Sequence, residues 1–303
     1  MDRRKFLKNS VKAGIAIGLT GISGISVGRD RGQLSILYTN DWHSRIDPFP
    51  MDGGKYEGLG GAARRMSAIN NIRSKGQETL LLDAGDIFQG TPYFNFFKGE
   101  LEFKLMSKMG YDAVTLGNHD FDAGLAGLHA QVPNAKFDII NANYDFSKNI
   151  MKDVCIPHRI FRKGNFKIGV TGVGIELNNL VPEKHFGNTV YHDPILAANR
   201  EAKILKEKKG CNIVICLSHL GYSYRSKKVS DVHLAKNSSH IDLILGGHTH
   251  TFLKNPVVIE NKLGKNVLVC QTGWAGINLG KIDYETHTNL KAAKPHSSML
   301  KIC

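Results

Sequence analysis

Five short apolar runs in this chain stop at turns made of Asp, Asn, His and Gly. Residues 34–39 end at Asn40-Asp41-Trp42-His43, and residues 79–82 run into Asp83-Ala84-Gly85-Asp86. Residues 113–116 meet Gly117-Asn118-His119-Asp120-Phe121-Asp122. Residues 212–217 end at Ser218-His219, and residues 241–245 at Gly246-Gly247-His248-Thr249-His250. An apolar run of this length bounded by turn residues reads as a buried strand. Helical spacing lies between the runs: residues 58–75 place Ala62, Met66, Ile69 and Ile72 on one face. Residues 101–109, 194–209 and 229–237 read as further helices, and 137–142, 166–173, 266–271 and 279–284 as further strands. The alternation predicts an α/β fold. Such sheets bind their ligands outside the carboxyl ends of the strands, which is where the polar turns fall.

Each turn alone is a weak signal. A lone His at a strand end is more often structural than functional, and Asn118 to Asp122 alone also fits an Asx-turn with a surface His. The recurrence is what carries weight, because five strands each end in a side chain able to bind a metal or move a proton. Asn118 offers a carbonyl oxygen to a cation. His119 can transfer a proton near neutral pH. Asp122, three residues on, is placed to fix the orientation of the His119 ring.

The chain has 303 residues, 42% of them hydrophobic, enough for one large core or two modest ones. Glycine is plentiful at 32 and proline scarce at 9, which suits many tight strand-to-helix turns. The formal charge is +13, which favours anionic substrates or surfaces. No aromatic-plus-basic module or zinc-finger spacing accompanies it, so nucleic acid is not indicated. Five cysteines without CxxC spacing give no disulfide framework, and Cys211, Cys216 and Cys270 sit in strand-like runs as small core residues.

Residues 1–31 are distinct. Seven basic and two acidic side chains fall there, and the sixteen residues 13–28 carry no charge. Arg3-Arg4-Lys5-Phe6-Leu7-Lys8 followed by a short apolar segment reads as a twin-arginine-type export signal or, if uncleaved, an N-terminal anchor. No cysteine follows to accept a lipid. Periplasmic or otherwise exported localisation is expected, with membrane contact only through an uncleaved signal. The remaining residues, 32–303, read as one catalytic domain, with a polar, loose tail after Thr286.

The five turns, taken in order, resemble the motifs of the calcineurin-like metallophosphoesterase superfamily. Those motifs are Asp-x-His, Gly-Asp, Gly-Asn-His-Asp/Glu, a lone His, and Gly-His-x-His. Here they read Asp41-Trp42-His43, Gly85-Asp86, Gly117-Asn118-His119-Asp120, His219 and Gly247-His248-Thr249-His250. Within the superfamily the chain is most similar to the N-terminal domain of bacterial 5′-nucleotidase/UDP-sugar hydrolases. Residues 36–41, 85–92 and 118–122 carry that closer likeness.

The resemblance implies a four-layer sandwich of two mixed β-sheets flanked by helices, with a dimetal site at the strand C-terminal ends. It implies that Asp41, His43 and His250 bind one ion, that Asn118, His219 and His248 bind a second, and that Asp86 bridges them. Mixed nitrogen and oxygen ligation suits Mn, Zn, Fe or Co. His119, oriented by Asp122, is the implied catalytic residue. The implied activity is hydrolysis of 5′-nucleotides or related phosphomonoesters through a metal-bound hydroxide. Nucleotide-sugar diphosphates, cyclic nucleotides and thiosulfate-linked substrates fit the same motifs, and a non-catalytic binding subunit is the remaining alternative. Family members carry a C-terminal nucleotidase domain that binds phosphate and base. No region of this chain is left to hold it, so the expectation is either that a separate chain supplies it or that the enzyme hydrolyses phosphoesters with little base selectivity. Arg64 and Arg65 read as a solvated helix face. Phe94, Phe96 and Phe97 read as core beneath a loop, or else as a stacking surface.

Overall fold

In the computed structural model, alternate side chains of the first strands part into two different cores. The structure describes residues 33–285 and 295–303, so the export-signal reading lies outside the described residues. Strand β1 (Gln33–Thr39) sends Leu34, Ile36 and Tyr38 to one core and Leu37 to another. Strand β2 (Glu78–Asp83) sends Leu80 and Leu82 to the first and Leu81 to the second. A strand's side chains point to opposite faces in turn, so a run apolar at every position is buried on both sides. A one-residue slip in β1 would exchange its two faces, which fixes the register.

The further strands are β3 (Ala113–Val114), β4 (Asp138–Ile140), β5 (Tyr144–Asp145), β6 (Cys155–Ile156), β7 (His158–Lys163) and β8 (Phe166–Gly174). They continue with β9 (Val190–Tyr191), β10 (Ile213–His219), β11 (Leu243–Gly246), β12 (Val257–Glu260), β13 (Asn266–Cys270), β14 (Asn278–Glu285) and β15 (His296–Lys301). One sheet has seven strands in the order β15-β14-β1-β2-β3-β4-β6, and a second has six in the order β12-β13-β11-β10-β8-β7. Both are mixed: β1, β2, β3, β4 and β6 run parallel, as do β8, β10, β11 and β13, with antiparallel pairing through β14 and β15 on one side of the first sheet and through β12 and β7 at the two edges of the second.

The core between the sheets takes Leu34, Ile36, Leu80 and Leu82 from one side and Ile168, Ile215, Leu217 and Leu243 from the other. The outer face of the first sheet packs on the helices Ala62–Arg73 and Glu100–Met109 through Ile69, Ile72, Phe103 and Met106. The outer face of the second packs on Pro194–Lys203 and Asp231–Asn237 through Ala198, Ala202, Leu234 and Ala235. Helix, sheet, sheet and helix make the four layers expected from the resemblance, and the metal-capable turns all follow strands of the two parallel sets.

Four sequence expectations change. The tail is not wholly loose, because β15 pairs with β14 along the sheet edge and Ile302 is buried. The helix expected from residue 58 begins at Ala62, since Gly58, Gly60 and Gly61 take positive φ. Arg65 is not on a solvated face. It is 1% exposed and its guanidinium stacks 4.1 Å from the Trp42 ring, while Arg64 is exposed as expected. The aromatic loop contains a short helix, Pro92–Phe97, in which Phe94 is buried but Phe96 is 80% exposed and Phe97 also lies at the surface. All five cysteines are free. No helix among the described residues is long and apolar enough to cross a membrane.

Candidate metal centre

The turns that carry the candidate ligands are held in an unusual backbone conformation. Asp41 (φ 51°), His43 (51°), Asp86 (55°), His248 (72°) and His250 (51°) all lie in the left-handed region. Each such residue is strained by about 1–3 kcal/mol, and strain of this kind persists only where the surroundings over-determine it. Backbone hydrogen bonds do so here. Asp41 N donates to Gly85 O at 2.9 Å, His43 N to Asp86 O at 3.0 Å, and Gly247 N to Ser218 O at 2.9 Å. The first two turns are thereby zipped to one another. Gly85 and Gly117 permit the approach of the next pair: a Cβ on Gly117 would lie 2.2 Å from Asp86 Oδ1, and one on Gly85 2.5 Å from Gly117 N.

Two clusters result. Asp41, His43 and His250 bring one donor atom each within 4.8 Å of one another, and so do Asp86, His219 and His248. In the first, His43 Nε2 and His250 Nε2 are 3.0 Å apart, and Asp41 Oδ1 lies 3.3 Å from His250 Nε2. In the second, His219 Nε2 is 3.0 Å from Asp86 Oδ2, and Asn118 Oδ1 is 2.9 Å from His248 Nδ1. Asp86 Oδ2 is also 3.9 Å from His43 Nε2, so one carboxylate faces both clusters. All seven predicted ligands converge.

These residues fit a pair of cations. His219 Nδ1 lies 2.7 Å from Ala84 O, and a carbonyl only accepts, so Nδ1 carries the hydrogen. That leaves the Nε2 lone pair aimed at a carboxylate oxygen, and Nε2 is buried without a hydrogen-bond partner despite the short separation. Two electron-rich atoms at that distance call for positive charge. With protein charges alone a ring proton supplies it. Burial lowers the His219 pKa, but the Asp86 carboxylate outweighs burial and carries it to about 10. For Asp86, burial likewise opposes ionisation, and the histidines around it, His219 first, hold it well below the usual carboxylate range. A divalent ion serves the same charge without the proton. Burial, then the charge of His219, pushes His248 down to about 4, and burial lowers His43. Both are neutral near pH 7, the state in which imidazole binds metal.

His119 and Asp122 lie beside these clusters. His119 Nδ1 is 2.8 Å from Asp122 Oδ2, and its backbone N donates to Asp86 Oδ1 at 2.7 Å. The His119 ring meets the His43 ring edge-on, with centroids 5.2 Å apart. The hydrogen bond to Asp122 is the main cause of a raised His119 pKa, so the ring holds a proton to higher pH than an ordinary histidine.

Some residues that shape the site were not assigned from the sequence. Asn40 donates from Nδ2 to Asp41 Oδ2 at 2.6 Å and to Gly273 O at 2.6 Å. Asp120 gathers backbone N–H groups from the Asp86 and Gly117 turns. Trp274 stacks on His250 with centroids 5.5 Å apart and planes within 2°. Composition held a hint, since the chain has only two tryptophans and both, Trp42 and Trp274, border the first cluster.

The sequence model of the calcineurin-like phosphoesterase family matches residues 34–252. The chain is 34% identical over 285 residues to the snake venom 5′-nucleotidase of Crotalus adamanteus, covering 86% of this chain and 46% of that protein. It is 32% identical over 281 residues to the trifunctional nucleotide phosphoesterase protein YfkN of Bacillus subtilis (strain 168), covering 82% of this chain and 18% of that one. Among solved structures, the 5′-nucleotidase precursor from Thermus thermophilus superposes with a TM-score of 0.78 at 29% identity, over 89% of this chain and 54% of that one. The chain thus spans about half the length of the venom nucleotidase.

Proposed function

Because the chain belongs to the calcineurin-like phosphoesterase family, we propose that it hydrolyses nucleotide phosphomonoesters at two divalent metal ions. Asp41, His43 and His250 would hold one ion, Asn118, His219 and His248 the other, and Asp86 both. The observation that carries the proposal is the Asp86 carboxylate, 3.0 Å from a histidine of one cluster and 3.9 Å from a histidine of the other. Ions bound there supply Lewis acidity, neutralising phosphoryl charge and acidifying an attacking water. The mixed nitrogen and oxygen donors suit Mn, Zn, Fe or Co.

The chain's own residues supply positioning and a proton. Ala84 O and the His219 Nδ1–H fix which nitrogen of His219 faces the site. Asn40 and the His248 backbone N–H hold the Asp41 carboxylate in place. His119, whose proton Asp122 retains to higher pH, donates a hydrogen bond to the phosphoryl group or a proton to the departing oxygen. The net charge of +13 favours an anionic substrate. Relatives described as nucleotidases support a nucleotide. The twin-arginine pattern in residues 1–31 suits action outside the cytoplasm.

The test is phosphate release from adenosine 5′-monophosphate and from an aryl phosphate by protein stripped of metal and then reloaded with Mn²⁺ or Zn²⁺. Release is expected only after reloading, and not from Asp86→Ala. A metal-replete protein inert on both esters, or an Asp86→Ala protein of normal rate, overturns the proposal.

A further inference from the structure

One buried amide bridges the loop that carries two of the candidate ligands. Strand β13 ends at Cys270, which pairs with Leu245 of β11, so the next residue, Gln271, stands beside the turn that leaves β11. Gln271 is fully buried. Its Nε2 donates to Gly247 O at 2.7 Å, just before His248, and its Oε1 accepts from Thr251 N, just after His250. A carbonyl only accepts and a backbone N–H only donates, so the two partners fix which end of the amide faces which. Between them, the Thr249 hydroxyl accepts from Tyr222 N at 2.9 Å and lies 3.2 Å from Gln271 Oε1.

The loop so held is strained. His248 and His250 take positive φ, at 72° and 51°, and Thr249 N closes back onto Gly247 O at 2.9 Å. The same strand end reaches a third ligand. Thr272 donates from N and Oγ1 to Asn40 Oδ1 at 2.8 and 2.6 Å. Asn40 Nδ2 donates to Gly273 O and to Asp41 Oδ2. Residues 271–273 therefore hold His248 of one cluster together with His250 and Asp41 of the other. A buried amide is unfavourable unless both its ends are paired. Here both ends pair with one loop, on either side of two ligands.

We propose that Gln271 is a positioning residue: by bonding the backbone on either side of His248 and His250, it fixes their separation and with it the spacing of the two ions they would hold. The inference rests on the two-ion reading above and adds the element that sets the distance between the ions. Two ions that share a carboxylate and clamp one phosphoryl group stand about 3.5–4 Å apart. A loop free to widen would change that spacing, so the loss falls on the pairing of the ions and not on stability alone.

Two measurements on the full chain test it without turnover: titration with Mn²⁺ by calorimetry, and the electron paramagnetic resonance spectrum of the Mn²⁺-loaded protein. Two Mn²⁺ ions at that spacing give an exchange-coupled signal, and isolated ions do not. Gln271→Met keeps the length of the arm and removes both polar groups. It should weaken the second binding event about 10–100-fold and replace the coupled signal with that of isolated ions. Gln271→Asn keeps both groups on an arm one carbon shorter and should move both readouts the same way by less. If Gln271→Met does not fold, Gln271→Asn decides. The control is Asn261→Leu in the β12–β13 hairpin, where Asn261 Oδ1 accepts from Leu263 N at 2.9 Å and from Lys265 N at 3.1 Å. It also strands backbone N–H groups, so it should melt lower yet keep both ions and the coupled signal. Folded Gln271 variants with wild-type affinities and an unchanged coupled signal overturn the proposal. So does loss of the coupled signal in Asn261→Leu, which would trace the effect to general destabilisation. A wild-type protein that never shows a coupled pair sinks the two-ion reading itself, and this inference with it.

Discussion

The Asp120 carboxylate accepts the backbone N–H of Asp86 at 3.0 Å, and this bond helps hold the left-handed turn that aims Asp86 at both clusters. The same carboxylate accepts from Ile87 N at 2.9 Å, Phe88 N at 3.3 Å and Gly117 N at 2.8 Å. One side chain of the third motif thus organises the backbone of the second. Burial, reinforced by the charge of Asp86, pushes the Asp120 pKa up to about 7, and the N–H groups pull against that rise.

Asp120→Asn keeps the shape but presents one acceptor oxygen where two served, stranding buried N–H groups. A buried donor left without a partner costs about 1–3 kcal/mol. The variant should melt at lower temperature and bind less metal, read by thermal denaturation and by metal analysis after dialysis. A variant with the wild-type melting point and full metal content would show that the four contacts are dispensable.

His119 should separate from the ligands by its phenotype. Asp86→Ala is expected to lose both ions, whereas His119→Ala should keep them and lose about 10²–10⁴ in turnover. Asp122→Asn gives a directional check. Asp122 raises the His119 pKa through their hydrogen bond, so its loss lowers that pKa. The protonated ring then disappears at lower pH, and the alkaline limb of kcat/KM should move to lower pH. A limb that moves upward, or not at all, excludes His119 as the group that must be protonated.

Asp83 should leave its mark on stability rather than catalysis. It is fully buried, accepts from Thr39 Oγ1 at 2.5 Å and from Gly85 N at 2.9 Å, and burial lifts its pKa from 3.8 to about 7. Its pKa is raised on folding, so between the two values the folded state holds a proton that the unfolded chain has released. Stability from this group is greatest below about pH 4 and falls as pH rises toward 7, by a total on the order of 4 kcal/mol. Asp83→Asn cannot ionise, and its amide can donate to Thr39, which in turn lies 2.7 Å from the Tyr111 hydroxyl. In chelator, urea midpoints of the variant should fall less steeply from pH 4.5 to 7.5 than those of the wild type. Parallel slopes would show that Asp83 is not the group responsible.

The legible part of the fold was the part buried on both faces. β1, β2, β10 and β11 are continuous apolar runs because sheet or helix covers each side, and the turns at their ends stood out by contrast. Strands β7, β12 and β15 lie at sheet edges, half exposed, with charged residues such as Arg159, Lys163 and Glu260 within them, and they left no such trace. Arg65 was legible in principle. The buried stripe of its helix is Ala62, Arg65, Ile69 and Ile72, and that three-and-four spacing outranks the charge of one member. Asn40 acts through contacts between loops more than 200 residues apart, such as Thr272 N to Asn40 Oδ1 at 2.8 Å, and Trp274 through a ring on a different loop, His250, and no local pattern encodes either.

Gly117 offers the sharpest steric test of how close the two clusters must be. A methyl group there would lie 2.2 Å from Asp86 Oδ1, 2.6 Å from Asp86 N and 2.7 Å from His219 Cε1. Gly117 does not use positive φ, so alanine suits its backbone and slightly stiffens the unfolded chain. The clash is therefore the whole effect, and it falls on backbone and on two buried side chains that cannot rotate away. Gly117→Ala should displace Asp86 and His219 together, removing the second ion and the bridge while Asp41, His43 and His250 remain in place. Gly210→Ala and Gly264→Ala, which meet nothing within 4 Å but do need positive φ, should cost about 1 kcal/mol and leave metal content unchanged. Metal titration by calorimetry should then show two sites in both controls and at most one weak site in Gly117→Ala. Two intact sites in Gly117→Ala would mean that the Asp86 turn has room to move, and that the short separation between Asp86 and His219 is not imposed by the fold.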